Sequence, residues 1–179
     1  MSRFQARLDA ACEAHGIPES IQYVAVAKSS NTLMRALAER GAPHGTTVMV
    51  GEQRAGKGRQ GRSWDLVPRD GLAMSVLLRP NRPGAKYPML ALGAAVAVAS
   101  ALGDKFLIKW PNDILSPDGE KVSGILSEAD ISEGFLILGI GINCNRTPLG
   151  VAGACAASDV TGEVIDQAVL AAEVVSRVL

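Results

Sequence analysis

The apolar positions of this 179-residue chain change their spacing several times, and each spacing predicts a different element. Short runs rich in β-branched residues, bounded by turn residues, predict strands; these are residues 21–27, 45–53, 72–80, 105–110, 121–130 and 134–145. Helices are expected where apolar residues recur every three or four positions, or where alanine dominates; these are residues 1–16, 29–41, 88–102 and 163–179. The longest irregular stretch, residues 143–162, is expected to be a loop.

The order of these elements predicts the fold class. Some neighbouring strands are joined by helices, while the strands at 121–130 and 134–145 are separated only by the turn "ISEG" and form a predicted hairpin. This mixture favours an α+β domain with a mixed β-sheet and helices packed on one face. At this length a single domain with a sizeable core is expected.

Composition excludes some classes of protein. Lys plus Arg and Asp plus Glu both count 18, so the chain as a whole has no net attraction to nucleic acid or to anionic membranes. Residues are 47% hydrophobic but only 4% aromatic, so aliphatic side chains must build the core. The apolar run at 87–103 is rich in alanine and contains Gly93, which favours a buried helix over a membrane span.

The cysteines and the N-terminus indicate a compartment. Cys12, Cys144 and Cys155 are widely separated, form no CxxC pair and are odd in number, which argues against a disulfide framework. The N-terminal segment carries charges and does not resemble a signal peptide. A reducing, cytoplasmic environment is expected.

A glycine-rich segment, "GEQRAGKGRQGRSW" at 51–64 and hereafter the glycine loop, is the first candidate for chemistry. Its Gly-x-Gly-x-x-Gly spacing matches a dinucleotide-binding fingerprint, but Pro68 and Gly71 prevent the long helix that this fingerprint requires. The cations Lys57, Arg59 and Arg62 instead suit an anion clamp, in which backbone N–H groups and arginines bind phosphates. Trp64 offers a face on which a purine can stack. The alternative is a solvated basic turn.

Three further segments combine strands with polar residues. "KWPNDIL" at 109–115 places Asn112 and Asp113 in a predicted turn, with Trp110 as either a core residue or a ligand contact. In "KVSGIL" at 121–126, strict alternation puts Lys121 and Ser123 on one face, although a lone lysine is more often a surface charge.

The third segment is "LGIGINCN" at 138–145, in which Gly139, Gly141 and Asn143 alternate onto one face of a strand. Glycines at such positions can form a floor for a ligand. A bulge or a close helix crossing is the alternative. His15 and His44 have no metal-ligand spacing, and the chain contains neither a GxSxG nor an HExxH motif.

Taken together, these segments resemble the biotin protein ligase family. The family pattern begins with Ser-Thr-Asn, here "SSN" at 29–31, and continues with "QRAGKGRQGRSW" at 53–64. "KWPND", "KVSGIL" and "GIGIN" follow in the family's order. The resemblance covers about residues 20–179 and implies a fold like that of class II aminoacyl-tRNA synthetases and biotin ligases.

The resemblance also implies roles for individual residues. Lys121 and Arg59 are the implied catalytic residues. The implied biotin contacts are Ser29, Ser30, Asn31, Gln53, Gly56, Lys57, Gly58, Arg59, Lys121, Gly124, Gly139 and Gly141. The implied nucleotide contacts are Arg59, Arg62, Trp64, Lys109, Asn112 and Asn143. Asp113 is a candidate ligand for Mg²⁺.

The implied activity is that of an ATP-dependent ligase acting on biotin. Biotin and MgATP would form biotinyl-5′-adenylate, and biotin would then be transferred to a lysine of a carboxylase carrier domain, without a tightly bound prosthetic group. The alternatives are a lipoate-type ligase and a non-catalytic module that binds biotin or nucleotide.

The resemblance further implies one catalytic domain over 1–179, without the N-terminal DNA-binding domain or the C-terminal β-barrel of some relatives. No nucleic-acid or membrane partner is expected. A homodimer through the apolar strands at 105–110 or 135–142 is expected if these strands lie at sheet edges; both are alternatively central strands.

Overall fold

A computed structural model describes residues 2–18, 20–81 and 87–179. The α-helices in these ranges are α1 (Arg3–Ala14), α2 (Ser30–Glu39), α3 (Tyr87–Leu102), α4 (Ala157–Thr161) and α5 (Gln167–Val178). The strands are β1 (Gln22–Ala27), β2 (Thr47–Gln53), β3 (Gly71–Leu78), β4 (Leu107–Lys109), β5 (Asp113–Leu115), β6 (Lys121–Asp130) and β7 (Phe135–Asn143).

The strands form one sheet in the order β1-β2-β3-β7-β6-β5-β4. β1 and β2 are parallel and the other neighbours are antiparallel, so the predicted mixed sheet of an α+β fold is confirmed. β7 lies in the middle of the sheet, between β3 and β6, whereas β4 lies at an edge. Of the two strands considered for edge pairing, only the one at 105–110 therefore has a free edge.

The two faces of the sheet are covered differently. The larger apolar cluster lies on one face and is built by the inward residues of β3, β6 and β7 together with helices α1, α3 and α5. Helix α2 differs from the prediction of helices on one face, because it packs on the opposite face against Val48, Leu77, Phe135 and Ile137. Residues on a strand alternate between faces. The same strands can therefore supply the core on one side and polar residues on the other.

The helices begin at polar caps that the sequence encodes locally. The Oγ of Ser29 accepts a hydrogen bond from the N–H of Thr32 at 3.0 Å, and this bond starts α2. Asp166 starts α5 by accepting from the N–H groups of Ala168 and Val169. Burial raises the pKa of the Asp166 carboxyl, but these bonds and one from Arg7 outweigh burial and hold its pKa below the usual value.

Two short elements were not predicted. Asn112 lies in the predicted turn, but Asp113, predicted in the same turn, begins β5, which pairs with β4 on one side and with β6 on the other. Helix α4 lies inside the stretch predicted as irregular. Both elements are too short to show a periodic apolar pattern.

The apolar segment predicted to be a buried helix forms α3, which packs against α5 and β6. Within the described ranges, none of the helices combines the length and the hydropathy that crossing a membrane requires. All three cysteines are buried free thiols. Burial raises the pKa of Cys144 to about 12 and that of Cys155 to about 11, so neither behaves as a reactive thiolate at neutral pH.

Candidate active site

A cleft of about 870 Å³, partly open to solvent, lies on the face of the sheet that carries α2. Three parts of the chain surround it: the N-terminus of α2, the glycine loop, and residues of strands β3, β5, β6 and β7. Most residues assigned to the site from sequence line this cleft, namely Ser29, Ser30, Asn31, Gln53, Lys57, Gly58, Arg59, Arg62, Trp64, Asn112, Asp113, Lys121, Gly124, Gly139 and Gly141.

The N-terminus of α2 is held against the sheet by buried polar contacts. The backbone N–H of Ser30 donates to Oε1 of Gln53 at 2.7 Å. The amide of Asn31 accepts from the hydroxyl of Ser75 at 2.7 Å and donates to Glu128 at 2.7 Å. Because Ser29, Ser30 and Asn31 are almost fully buried, this wall of the cleft is rigid.

The glycine loop folds back on itself as a small hairpin over the cleft. Lys57 and Ser63 form an antiparallel bridge, and the N–H of Gly58 donates to the carbonyl of Arg62 at 2.8 Å. A tight turn, Arg59–Gly61, forms its tip, where Gln60 and Gly61 both have positive φ, of 57° and 74°. Glycine adopts this conformation without strain, whereas other residues rarely do. The tip directs the side chains of Arg59 and Arg62 toward the cleft.

A chain of charged and amide groups crosses the floor of the cleft. Lys121 Nζ lies 2.7 Å from Oδ1 of Asp113. The Asn112 amide donates to the same carboxylate at 3.1 Å and accepts from Nη1 of Arg59 at 2.6 Å. The ammonium and the guanidinium thus stand in one connected network, where together they can bind an anion that enters the cleft.

Lys121 reaches the cleft because strand β6 contains a bulge. Ile114 pairs with Ser123 while Leu115 pairs with Lys121, so Val122 is an extra residue in β6. An extra residue inverts the alternation of faces. Lys121 therefore shares the cleft face with Gly124, and the expectation that it would share a face with Ser123 is wrong.

Glycines on the floor make room for two side chains of the protein. A Cβ at Gly139 would collide with the amide of Asn31, and one at Gly141 would collide with the indole of Trp64. Gly124 lies against the same indole and against the stem of Lys121, each 3.1 Å from the position of an added Cβ. The predicted flat floor is present, but in this structure protein side chains cover it.

Trp64 and Lys121 separate the cleft from a second cavity of about 510 Å³. Asn143 lines this second cavity and not the main cleft, together with Gly153 and other residues of the loop before α4. Lys121 Nζ lies 5.3 Å from the centre of the Trp64 ring, within cation–π range. Trp64 Nε1 and Asn143 Oδ1 are buried and, among the described residues, have no hydrogen-bond partner. Such atoms are suited to a polar ligand.

Two residues assigned from sequence do not line either cavity. Gly56 lies at the base of the glycine loop, where its carbonyl accepts from the N–H of Trp64 and an added Cβ would collide with the Trp64 carbonyl. Lys109 is exposed at the end of the edge strand β4. Gly56 therefore shapes the loop, and Lys109 lies one strand outside the cleft, directly across from Asp113 of β5.

Sequence reasoning missed several residues of this region. Gln60, Ser63, Ala73, Ile125, Leu126 and Ile140 also line the cleft. Ser75 and Glu128 lie behind it. Ser75 could have been found as the one hydroxyl in the apolar run of β3, and Glu128 by its alternation with Gly124 on β6.

The chain is similar in sequence to known ligases. Residues 23–145 match the biotin/lipoate A/B protein ligase family. Over 133 residues the chain is 44% identical to the bifunctional ligase/repressor BirA of Bacillus subtilis, covering 70% of this chain and 41% of the relative. It is 34% identical over 137 residues to the biotin–[acetyl-CoA-carboxylase] ligase of Mycobacterium tuberculosis, covering 72% of this chain and 50% of that protein. The matched part thus spans half or less of the length of these relatives.

Solved structures share the fold. The biotin protein ligase of Aquifex aeolicus in complex with biotin and ATP superposes with a TM-score of 0.74 at 30% identity, covering 88% of this chain and 68% of that one. The biotin protein ligase of Leishmania major in complex with biotin superposes with a TM-score of 0.78 at 24% identity, covering 90% and 73%.

Proposed function

The chain belongs to the biotin/lipoate A/B protein ligase family, and from that premise we propose that it is an ATP-dependent biotin protein ligase. One observation carries the proposal: the five biotin-ligase motifs, distant in sequence, surround one cleft and its neighbouring cavity. The identity to relatives named as biotin ligases supports the same substrates.

The first step joins two anions. The biotin carboxylate attacks the α-phosphorus of ATP, a new P–O bond forms, and the bond to pyrophosphate breaks, leaving biotinyl-5′-adenylate. Lys121 and Arg59 offset the repulsion between carboxylate and phosphates, and Lys121 stabilises the charge that grows on the phosphoryl oxygens. In the second step a carrier lysine attacks the carbonyl carbon of the mixed anhydride. A C–N bond forms, AMP leaves, and the amine proton passes to solvent.

The two cavities suit the two halves of the adenylate. Biotin would occupy the main cleft, with the polar groups of Ser29, Ser30, Asn31 and Gln53 around its ureido end. The adenine would lie at the second cavity, where the buried atoms Trp64 Nε1 and Asn143 Oδ1 await polar partners. Lys121 lines both cavities and would thus stand beside the α-phosphate.

Asp113 is the candidate magnesium ligand in this region. Among the described residues, no three His, Cys, Asp or Glu side chains converge. The Asp113 carboxylate already accepts the ammonium of Lys121 at 2.7 Å. We therefore assign Asp113 to the placement of Lys121 and regard Mg²⁺ as part of the ATP substrate.

Pyrophosphate release and mass spectrometry test this function. Biotin plus MgATP should release pyrophosphate and leave biotinyl-adenylate bound, and addition of a biotin carboxyl-carrier domain should yield a biotinylated lysine. Lipoate in place of biotin is the control for the related ligase activity. Pyrophosphate release with lipoate but not with biotin would favour a lipoate ligase. Binding of biotin or ATP without pyrophosphate release would favour a non-catalytic module.

The proposal extends to location and assembly. Three buried free thiols fit a reducing compartment such as the cytoplasm. At the free edge of β4, Leu107 and Ile108 are exposed, which suits pairing with a second copy. Sedimentation at micromolar concentration should show a dimer, and a monomer both with and without biotin and ATP would rule it out.

A further inference from the structure

One carboxylate, that of Glu128, contacts both walls of the cleft. Its Oε2 accepts from Nδ2 of Asn31 at 2.7 Å, in the first turn of α2. Its Oε1 lies 3.7 Å from Nζ of Lys57, in the glycine loop. Glu128 itself does not line the cleft. It belongs to none of the residues to which the motifs assign a role.

The contact with Asn31 sets the orientation of a buried amide. A carboxylate accepts hydrogen bonds, so the NH₂ group of Asn31 must face Glu128, and its oxygen then faces the hydroxyl of Ser75 at 2.7 Å. The amide lies flat against Gly139, where a Cβ would displace it. Asn31 therefore has one orientation, and the two serines that precede it are positioned with it.

The contact with Lys57 acts on the loop as a unit. Lys57 is bridged to Ser63 across the loop hairpin, so a contact that restrains its side chain also restrains the residues around Trp64. The pair is partly exposed, with side chains 45% and 24% accessible. Pairs of this kind change an equilibrium by about 1.5- to 5-fold. Such a weak tether can hold the loop and still release it for product exchange.

We propose that Glu128 is a positioning residue that couples the α2 wall of the cleft to the glycine loop. One oxygen orients Asn31, and the other holds the glycine loop over the adenylate through Lys57. It does not touch the reacting atoms. This inference rests on the proposed ligase function.

The variant E128Q separates the contact of Glu128 with Asn31 from its contact with Lys57. Glutamine keeps an oxygen that can accept from Asn31 but loses the charge that attracts Lys57. The matched control is D130N, two residues further along β6, where Asp130 pairs with Arg35 of α2 at 3.8 Å and lies outside the cleft. The measurement is the loss of preformed biotinyl-adenylate from the protein in the absence of carrier, beside the single-turnover rate of adenylate synthesis.

E128Q should lose the adenylate about threefold faster than the wild type, in the range of a partly exposed pair, while the rate of synthesis at saturation stays unchanged. D130N should match the wild type. Because salt screens exposed pairs, the difference between E128Q and wild type should shrink as ionic strength rises.

Two further variants test the two contacts through the residues that Glu128 holds: K57M tests the loop contact and S75A tests the orientation of Asn31. K57M should accelerate adenylate loss as E128Q does, and the double variant should be no faster than either single one. S75A should raise KM for biotin while adenylate loss stays at the wild-type rate.

Adenylate loss from E128Q at the wild-type rate would overturn the proposal. It would also be overturned if the rate increase in E128Q/K57M equals the product of the increases in the two single variants. If E128Q does not fold, K57M decides, because Lys57 is exposed and outside the core. A wild type that forms no adenylate would refute the ligase function, and this inference would fall with it.

Discussion

Replacing Lys121 by methionine would test whether its ammonium stabilises the transition state of adenylate formation. Methionine keeps most of the unbranched stem beside Gly124 and Trp64 but removes the ammonium. Loss of one preorganised donor to a developing oxyanion costs about 2.7–4 kcal/mol in the transition state, or roughly 10²- to 10³-fold in rate. We expect adenylate formation to slow by that factor.

The structure adds a second contribution to this loss. Lys121 neutralises Asp113 at 2.7 Å, so K121M leaves a carboxylate facing the incoming phosphates. The double variant K121M/D113N should therefore be faster than K121M alone, because it removes this repulsion together with the donor. Biotin binding without ATP should weaken far less than the rate of adenylation.

Stopped-flow pyrophosphate release gives the adenylation rate, and calorimetry gives biotin affinity. The control is K105M, because Lys105 is exposed on the surface, where it donates to the carbonyl of Val160 at 3.4 Å. An adenylation rate in K121M within about tenfold of the wild type would refute the assignment, since loss of a transition-state donor costs more than that.

Three other outcomes are expected. Gly141→Ala should displace the indole of Trp64 and weaken ATP binding by about 1–3 kcal/mol, the worth of one base stacked on an aromatic ring, seen as a raised KM for ATP, whereas Gly93→Ala, which has open space, should leave it unchanged. We expect ligands to order the glycine loop over the adenylate, so proteolysis within residues 54–64 should fall sharply when biotin and MgATP are added. Equal cleavage in both conditions would refute this ordering. Asp166→Ala should lower the free energy of unfolding by about 1 kcal/mol at neutral pH, the usual value of a helix cap. Because the pKa of Asp166 is lowered in the fold, this stabilisation is present above about pH 4 and is lost as the pH falls through the folded pKa, which urea titrations at pH 7 and about pH 2.5 would detect.

The long elements could be predicted because their patterns are local. β6 and β7 occupy Lys121–Asp130 and Phe135–Asn143, almost the predicted ranges, since each is a run rich in β-branched residues that is bounded by turn residues. The short β5 could not be predicted, because three residues carry no period and pairing with two neighbours makes them a strand. The side of the sheet on which α2 packs depends on contacts between distant residues, which a local pattern does not contain.

The residues of the site could be predicted from the sequence better than the contacts between them. The motifs identified Lys121, Asp113 and Arg59, but not that Lys121 pairs with Asp113 or that Arg59 contacts Asn112. The bulge at Val122 was also missed, because alternation assumes a regular strand. Lys109 was assigned by motif alone, and it lies on the edge strand opposite Asp113 without lining the cleft.

The placement of the two tryptophans gives the protein a spectroscopic reporter. Trp64 and Trp110 are the chain's entire complement of indoles. Trp64 lies between the cleft and the second cavity, whereas Trp110 is 78% exposed just after the edge strand β4. An aqueous quencher such as iodide reaches Trp110 first and leaves an emission that comes mainly from the indole beside the ligand. Occupancy of the cleft can therefore be followed by intrinsic fluorescence, without a label and without turnover.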